Sequence, residues 1–282
     1  MSWYPTGFEV RVEPAAPGRG EYLVSFPSPL GGDTPHTGVV TMEWYLARGP
    51  DGKPRRAPGV VVVHESGRGM TVGRLIARDF PRHGVHACLI HLPHYGERST
   101  PQGRPNGAAI VTALQQAVTD VRRARDAMAA LPWVENDNIF LQGTSLGGIV
   151  SSTVAGLDRG YSGYFLLLAG GDLHSILMHG DRDAAKLRRE LSSGGLEGEP
   201  LRQLARTIEP LRLAHRADPD RVWLYAAKYD TVVPPANSDR LARAFGLDES
   251  HYRRMTADHY TGIVQLPWVM REMAQEMWRL SR

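Results

Sequence analysis

The segment Gly143-Thr144-Ser145-Leu146-Gly147 has the form Gly-x-Ser-x-Gly and presents a hydroxyl suited to nucleophilic attack. An apolar run, Ile139-Phe140-Leu141, precedes it, and a small and apolar segment containing Ile149, Val150, Val154 and Leu157 follows. This reads as a buried strand, a sharp turn and a helix, with Ser145 at the apex. Gly143 and Gly147 lack a Cβ, so the chain can reverse tightly and lift the hydroxyl clear. The helix would aim its positive dipole end and its unpaired N–H groups at that hydroxyl. The bland alternative is a serine in an ordinary strand-to-helix turn. Such a string arises often by chance, so the flanking pattern and the partners must decide.

A serine hydroxyl is a poor nucleophile at neutral pH and needs a base held by an acid. In an open α/β sheet such groups gather where loops leave the carboxyl ends of strands. Val222 to Ala227 reads as a strand, and Lys228-Tyr229-Asp230-Thr231-Val232-Val233-Pro234-Pro235 places Asp230 just past it. His251 to Met255 reads as another, and Thr256-Ala257-Asp258-His259-Tyr260 places His259 before a closing helix. Asp172, in Ala169-Gly170-Gly171-Asp172, also follows a strand and is the alternative acid. Taken singly each residue is weak, because strand-end aspartates are usually turn or cap residues and most of the 11 histidines must be structural. Together they stand in the order Ser, Asp, His at three strand ends.

The elements that must position these groups can be read in order. Phe8 to Val12, Glu21 to Phe26 and Val39 to Ala47 alternate like strands, with a Pro/Gly-rich turn at 14–20. Gly59-Val60-Val61-Val62-Val63-His64 is a continuous β-branched run, as expected of a strand buried on both faces. Strand and helix patterns then alternate: helix 71–83, strand 85–91, helix 108–131, the Ser145 strand and helix, and strand 164–168. Strand 221–227, helix 238–245, strand 251–255 and helix 263–280 complete the series. Antiparallel beginnings followed by repeated βα units predict an α/β protein with a mostly parallel sheet and helices on both faces. No linker splits it, so one domain over 1–282 is expected. The charged, helix-prone stretch 173–217 reads as an insertion over the top of the sheet. Its large apolar residues look few, which argues against a lipase-type lid and for a small ester in a partly covered pocket.

At 282 residues, 42% hydrophobic and 22% charged, the chain has ample core for a globular domain. Its net charge of +3 does not point to nucleic acid, because Asp and Glu are interleaved with the arginines. The single Cys88 excludes an internal disulfide and lies in a strand-like run, as an inert core thiol would. Met1 to Pro14 has no signal-like apolar region and no run spans a bilayer, so a cytoplasmic protein without a membrane partner is expected. Monomer against homo-oligomer stays open.

From the Val60 strand to the last helix the chain resembles an α/β-hydrolase. Val61-Val62-Val63-His64-Glu65-Ser66-Gly67 is similar to the dienelactone-hydrolase-like branch, in which a strand ends in a His/Gln-Glu-x-x-Gly loop. The resemblance implies Ser145 as nucleophile, His259 as general base then acid, and Asp230 as the orienting carboxylate. It favours Asp230 over Asp172 because Val-Pro-Pro behind Asp230 matches the family's usual acid loop. It implies an oxyanion hole from the backbone N–H of Leu146 and one from the His64–Gly67 loop, Ser66 first and Glu65 next. Dienelactone hydrolases carry cysteine at the elbow, so lactone specificity does not carry over, and Ser145 points to general ester hydrolysis. No metal or organic cofactor is implied.

Around this centre, His64 reads as a structural hydrogen-bonder. Glu65 has two open readings, a carboxylate complementing a helix N-terminus or a group holding the elbow region in a resting form. Tyr95 and Arg98, in the loop His91 to Arg98, are candidates for substrate contact, against a loop packed on itself. Three rival functions share part of this pattern. A dinucleotide-binding oxidoreductase would use Gly67-Arg68-Gly69-Met70-Thr71-Val72-Gly73, but the next strand ends in His91-Leu92-Pro93 with no acid for a ribose hydroxyl. A peptidase, thioesterase, acyltransferase or lactonase would keep the fold and the triad, because only the pocket separates these reactions. A catalytically dead binding protein would fit poorly with three triad residues present.

Overall fold

The computed structural model describes residues 7–282 apart from 33, 102, 104 and 106–108. The first six residues and the expected helix start at Ala108 lie outside the described residues. Among the described residues nine strands form one sheet: β1 (Arg11–Pro14), β2 (Tyr22–Pro27), β3 (Val39–Tyr45), β4 (Ala57–Val63), β5 (His86–Ile90), β6 (Val134–Thr144), β7 (Tyr164–Leu167), β8 (Val222–Ala227) and β9 (Tyr252–Met255). Their spatial order is β1-β2-β3-β5-β4-β6-β7-β8-β9. The β1–β2, β2–β3 and β3–β5 pairs are antiparallel, and every pair from β5 onward is parallel. The chain therefore has the α/β fold expected from the pattern. Strand β1 lies three residues beyond its predicted start, paired across the 14–20 turn to β2.

Burial follows the composition of each strand. All of β4 is buried, as its Val60–Val63 run requires of a strand covered on both faces. The exposed β1 is polar on the edge. Helices α1 (Pro35–Gly38), α2 (Thr71–Asp79), α3 (Ala109–Ala129) and α4 (Leu146–Leu157) precede the insertion, and α8 (Pro235–Phe245) and α9 (Leu266–Leu280) follow it. Parallel crossovers are right-handed. The chain steps from β4 to β5 in one direction across the sheet, then from β5 over β4 to β6 and onward in the other. Helix α2 is therefore on one face and α3, α4 and α8 on the opposite one. Helix α9 packs with α2, and α3 packs with α4. The predicted helix 71–83 divides into α2 and a 3-10 turn at Phe80–His83, where Pro81 removes a backbone donor. The closing helix likewise begins at Leu266, after a 3-10 turn at Thr261–Gln265, with Pro267 in its first turn.

Reversal of direction between β4 and β6 makes their carboxyl ends the switch point of the sheet, where a crevice must open. The loops entering that crevice are His64–Gly67 from β4 and Ser145 from β6. Above it, the 173–217 stretch folds into α5 (Leu173–His179), α6 (Asp183–Ser193) and α7 (Gly198–Thr207), followed by short 3-10 turns between 210 and 221. Leu173, Ile176, Ala184 and Ala205 of this cap pack on Val232 and Val233 of the loop after β8, as a small core separate from the main one. The N–H of Asp181 also donates to the Thr231 carbonyl at 2.7 Å. Cys88 is fully buried in β5, and burial pushes its thiol pKa up, so it is inert.

Candidate active site

Ser145 sits between β6 and α4 with φ 54° and ψ −112°, a conformation that an L-residue holds only when its surroundings force it. The forcing contacts are visible. Its N–H donates to the Leu167 carbonyl at 2.8 Å, and its carbonyl accepts from Ile149 at 3.0 Å. A Cβ at Gly147 would collide with the Val63 carbonyl, and one at Gly143 with the Gly147 carbonyl. The two glycines thus let α4 start directly against β4 and β6, with Ser145 at the bend. The cost of such a backbone is about 1–3 kcal/mol, held by the packing around it.

The His259 ring stands over this bend. Its Nε2 lies 3.0 Å from Ser145 Oγ and its Nδ1 lies 2.7 Å from Asp230 Oδ2. The Asp230 carboxylate only accepts, so Nδ1 carries the proton and Nε2 offers its lone pair to the serine hydroxyl. Asp230 is itself fixed. Its Oδ1 accepts from the N–H groups of Val232 and Val233, each at 2.8 Å. The His259 and Asp230 side chains are only 8% and 3% exposed, so water competes little for these bonds.

Asp172, the alternative acid, does something else. It caps α5, accepting from the Ser175 N–H at 3.1 Å, and pairs with Arg240 at 2.9 Å. Leu146 opens α4, so its N–H belongs to the first-turn donors left without an intrahelical partner. Ser66 lines the same cavity as Ser145 and Leu146, and its carbonyl accepts from the Tyr95 hydroxyl at 3.2 Å. Glu65 takes the first of its two readings. Its carboxylate accepts from the Val72 and Gly73 N–H groups at 3.1 and 3.0 Å, capping α2. His64 is wholly buried, with Nε2 accepting from the Leu92 N–H at 3.2 Å and Nδ1 facing the Glu65 carbonyl at 2.6 Å.

Arg98 is a correction. It is fully buried and is not brought to the cavity. Its guanidinium pairs with Asp120 at 2.8 Å and donates to the His91 and Thr37 carbonyls at 3.0 and 2.6 Å. Within the loop 91–98 it is Tyr95 alone of the two candidates that lines the cavity. Among the described residues no group of three His, Cys, Asp or Glu side chains is placed to hold a metal. Among them also, no helix is long and apolar enough to cross a membrane.

The cavity beside Ser145 has a volume of about 400 Å³. Ser66, Tyr95, Ser145 and Leu146 line it together with Ile149 of α4, Val232 and Val233 of the loop after β8, and residues of α3, α5, α6 and α7. The expectation that 173–217 is poor in large apolar residues is overturned here. Leu173, Ile176, Leu187, Leu191, Leu201 and Leu204 of the cap all face the cavity. Their spacing of three or four residues within each short helix was the available signal, diluted by the charges on the outer faces.

Comparison with known proteins agrees with this architecture. No family model matches the chain. The chain is 28% identical over 249 residues to the uncharacterized protein Rv2627c of Mycobacterium tuberculosis, covering 77% of this chain and 54% of that protein. It thus spans about half the length of the curated relatives it matches. Among solved structures it superposes on an acetyl xylan esterase from Paenibacillus sp. R4 with a TM-score of 0.67, at 17% identity over 98% of this chain and 89% of that one. It also superposes on the α/β hydrolase GrgF from Penicillium sp. sh18 with a TM-score of 0.66, at 14% identity over 91% and 97% of the two chains. The fold is therefore the α/β-hydrolase fold.

Proposed function

We propose that this protein is a serine carboxylic-ester hydrolase that works through an acyl-enzyme. The reading rests on one observation, the unbroken chain from Ser145 Oγ through His259 to Asp230, buttressed by two backbone N–H groups. Ser145 Oγ attacks the ester carbonyl while His259 Nε2 takes its proton, and Asp230 stabilises the imidazolium. The oxyanion lies against the Leu146 N–H and a donor of the Ser66 loop. His259 returns the proton to the departing alcohol. Water then repeats the sequence, and the acid leaves.

Each donor of an oxyanion hole contributes about 3 kcal/mol to such a barrier. The fold of an acetyl xylan esterase supports the class of chemistry and leaves its substrate to that protein. Hydrolysis of p-nitrophenyl acetate and butyrate by wild type and Ser145→Ala, with labelling by a serine-directed phosphonate, tests the reading. Activity and labelling in wild type, both lost in Ser145→Ala, are expected. An inert, unlabelled wild type would remove the hydrolase reading altogether.

A further inference from the structure

The cavity opens onto the Ser145 end of the site. Ser145, Leu146 and Ser66 line it, whereas His259, although bonded to Ser145, does not. In ester cleavage the departing oxygen must lie where His259 Nε2 can protonate it, so the alcohol half leaves on the His259 side. The group entering the cavity is then the acyl half, which remains bonded to Ser145 Oγ after the alcohol has gone.

The chemistry of the walls says what that acyl half must be. Beyond Tyr95 at the serine end, the inner walls come from side chains such as Ile110, Leu114, Ile149, Leu191 and Leu201. The charged members, Asp183, Lys186 and Glu190, are solvent-exposed residues of α6, and Lys186 and Glu190 pair with each other at 4.0 Å. A hydroxylated or peptide-like acyl group would leave its polar atoms unpaired against these leucines, whereas a hydrocarbon chain loses nothing on entry.

Resting on the ester-hydrolase reading above, we infer that the cap and α3 build an acyl-chain pocket, and that the substrates are esters of medium-length aliphatic acids. Hydrolysis proceeds as an ordinary acyl transfer: the bond from Ser145 Oγ to the acyl carbon forms, the acyl–oxygen bond to the alcohol breaks, and water releases the fatty acid.

The test is kcat/KM for p-nitrophenyl esters from acetate to octanoate, set beside a series of alkyl acetates in which only the alcohol lengthens. Transfer of one methylene from water is worth about 0.8 kcal/mol, or about fourfold per carbon, so a steep climb along the acyl series and a flat alcohol series are expected. Leu204→Trp, which crowds the pocket from α7, should lower the ratio of octanoate to acetate kcat/KM at least tenfold. Leu187→Trp on α6 repeats the test from a second helix should the first variant fold poorly. Acetate cleaved as well as octanoate, or a climb along the alcohol series instead, would overturn the acyl-pocket assignment and leave the hydrolase standing. Inertness toward every ester, with no phosphonate labelling, would overturn both.

Discussion

Replacing Asp230 by Asn isolates the role assigned to the acid. The substitution keeps the shape of the side chain and leaves an oxygen to accept from the Val232 and Val233 N–H groups, so the loop after β8 should hold. With that oxygen engaged, the amide NH2 faces His259 Nδ1, 2.7 Å away in the wild type. A donor there must meet an acceptor, so the ring carries its proton on Nε2 instead. Nε2 then has no lone pair for the Ser145 hydroxyl. The imidazolium also loses its carboxylate. In serine proteases the equivalent change lowers kcat by about 10⁴, equivalent to about 5 kcal/mol of barrier, and a comparable loss is expected here. The assay is kcat/KM for p-nitrophenyl butyrate together with thermal unfolding. Asp172→Asn is the control: asparagine also caps a helix, and only an exposed pair with Arg240 is lost, so activity should stay within a few-fold. A folded Asp230→Asn enzyme within tenfold of wild type, or an equal loss in Asp172→Asn, would refute the assignment.

Further outcomes follow from other contacts. Gly147→Ala places a Cβ against the Val63 carbonyl, a backbone group that cannot swing aside, so a stability loss of about 1–3 kcal/mol and a fall in both Tm and turnover are expected. Arg98→Met should destabilise by about 3–5 kcal/mol by stranding Asp120 in the interior, yet leave KM of the folded fraction unchanged; a raised KM at full stability would return Arg98 to the substrate. Burial alone would raise the Glu43 pKa, but hydrogen bonds from His91, Arg74 and Tyr45 outweigh it and bring it down from 4.5 to about 2. Because the folded value is the lower one, Glu43 stabilises the fold above about pH 4.5, and this contribution, on the order of 3 kcal/mol, fades as pH falls toward 2. Urea unfolding at pH 7 and pH 3 should therefore show a gap between wild type and Glu43→Gln that narrows in acid; a constant gap would contradict the assignment.

What the sequence made legible was whatever local chemistry fixes. The small residues at 143 and 147 announce a bend because a Cβ there collides with backbone, and the β-branched 60–63 run announces a strand covered on both faces. Asp230 and His259 were found because each sits just past a strand. The roles of Arg98 and Glu65 depended on where distant segments pass. Whether a guanidinium reaches substrate or Asp120 depends on the position of α3, which the loop containing Arg98 does not encode. Glu65 has carboxylate chemistry suited to either of its two readings, and only the placement of α2 chose between them. The cap failed differently. Its apolar residues were visible, but each helix is short and charged outside, so the cavity they enclose exists only after three helices come together with α3.

This division has a consequence for how the protein can vary. Ser145, Asp230 and His259, the proposed reacting groups, hang from the ends of β6, β8 and β9, whose parallel register fixes their separations, and the strained Ser145 backbone tolerates little change. The cap packs on Val232 and Val233, the two residues whose N–H groups hold Asp230, and Arg182 and Asp183 meet Tyr260 beside His259. Substitutions on the cavity side of α6 and α7 should therefore move KM and chain-length preference with kcat on short esters nearly constant. Substitutions that loosen the packing of Leu173 or Ala205 on Val232 and Val233 should reach kcat as well, because they disturb the acid through its own backbone donors. A cap residue that altered kcat on acetate without touching that small core or Tyr260 would show that the cap does more than select the acyl chain.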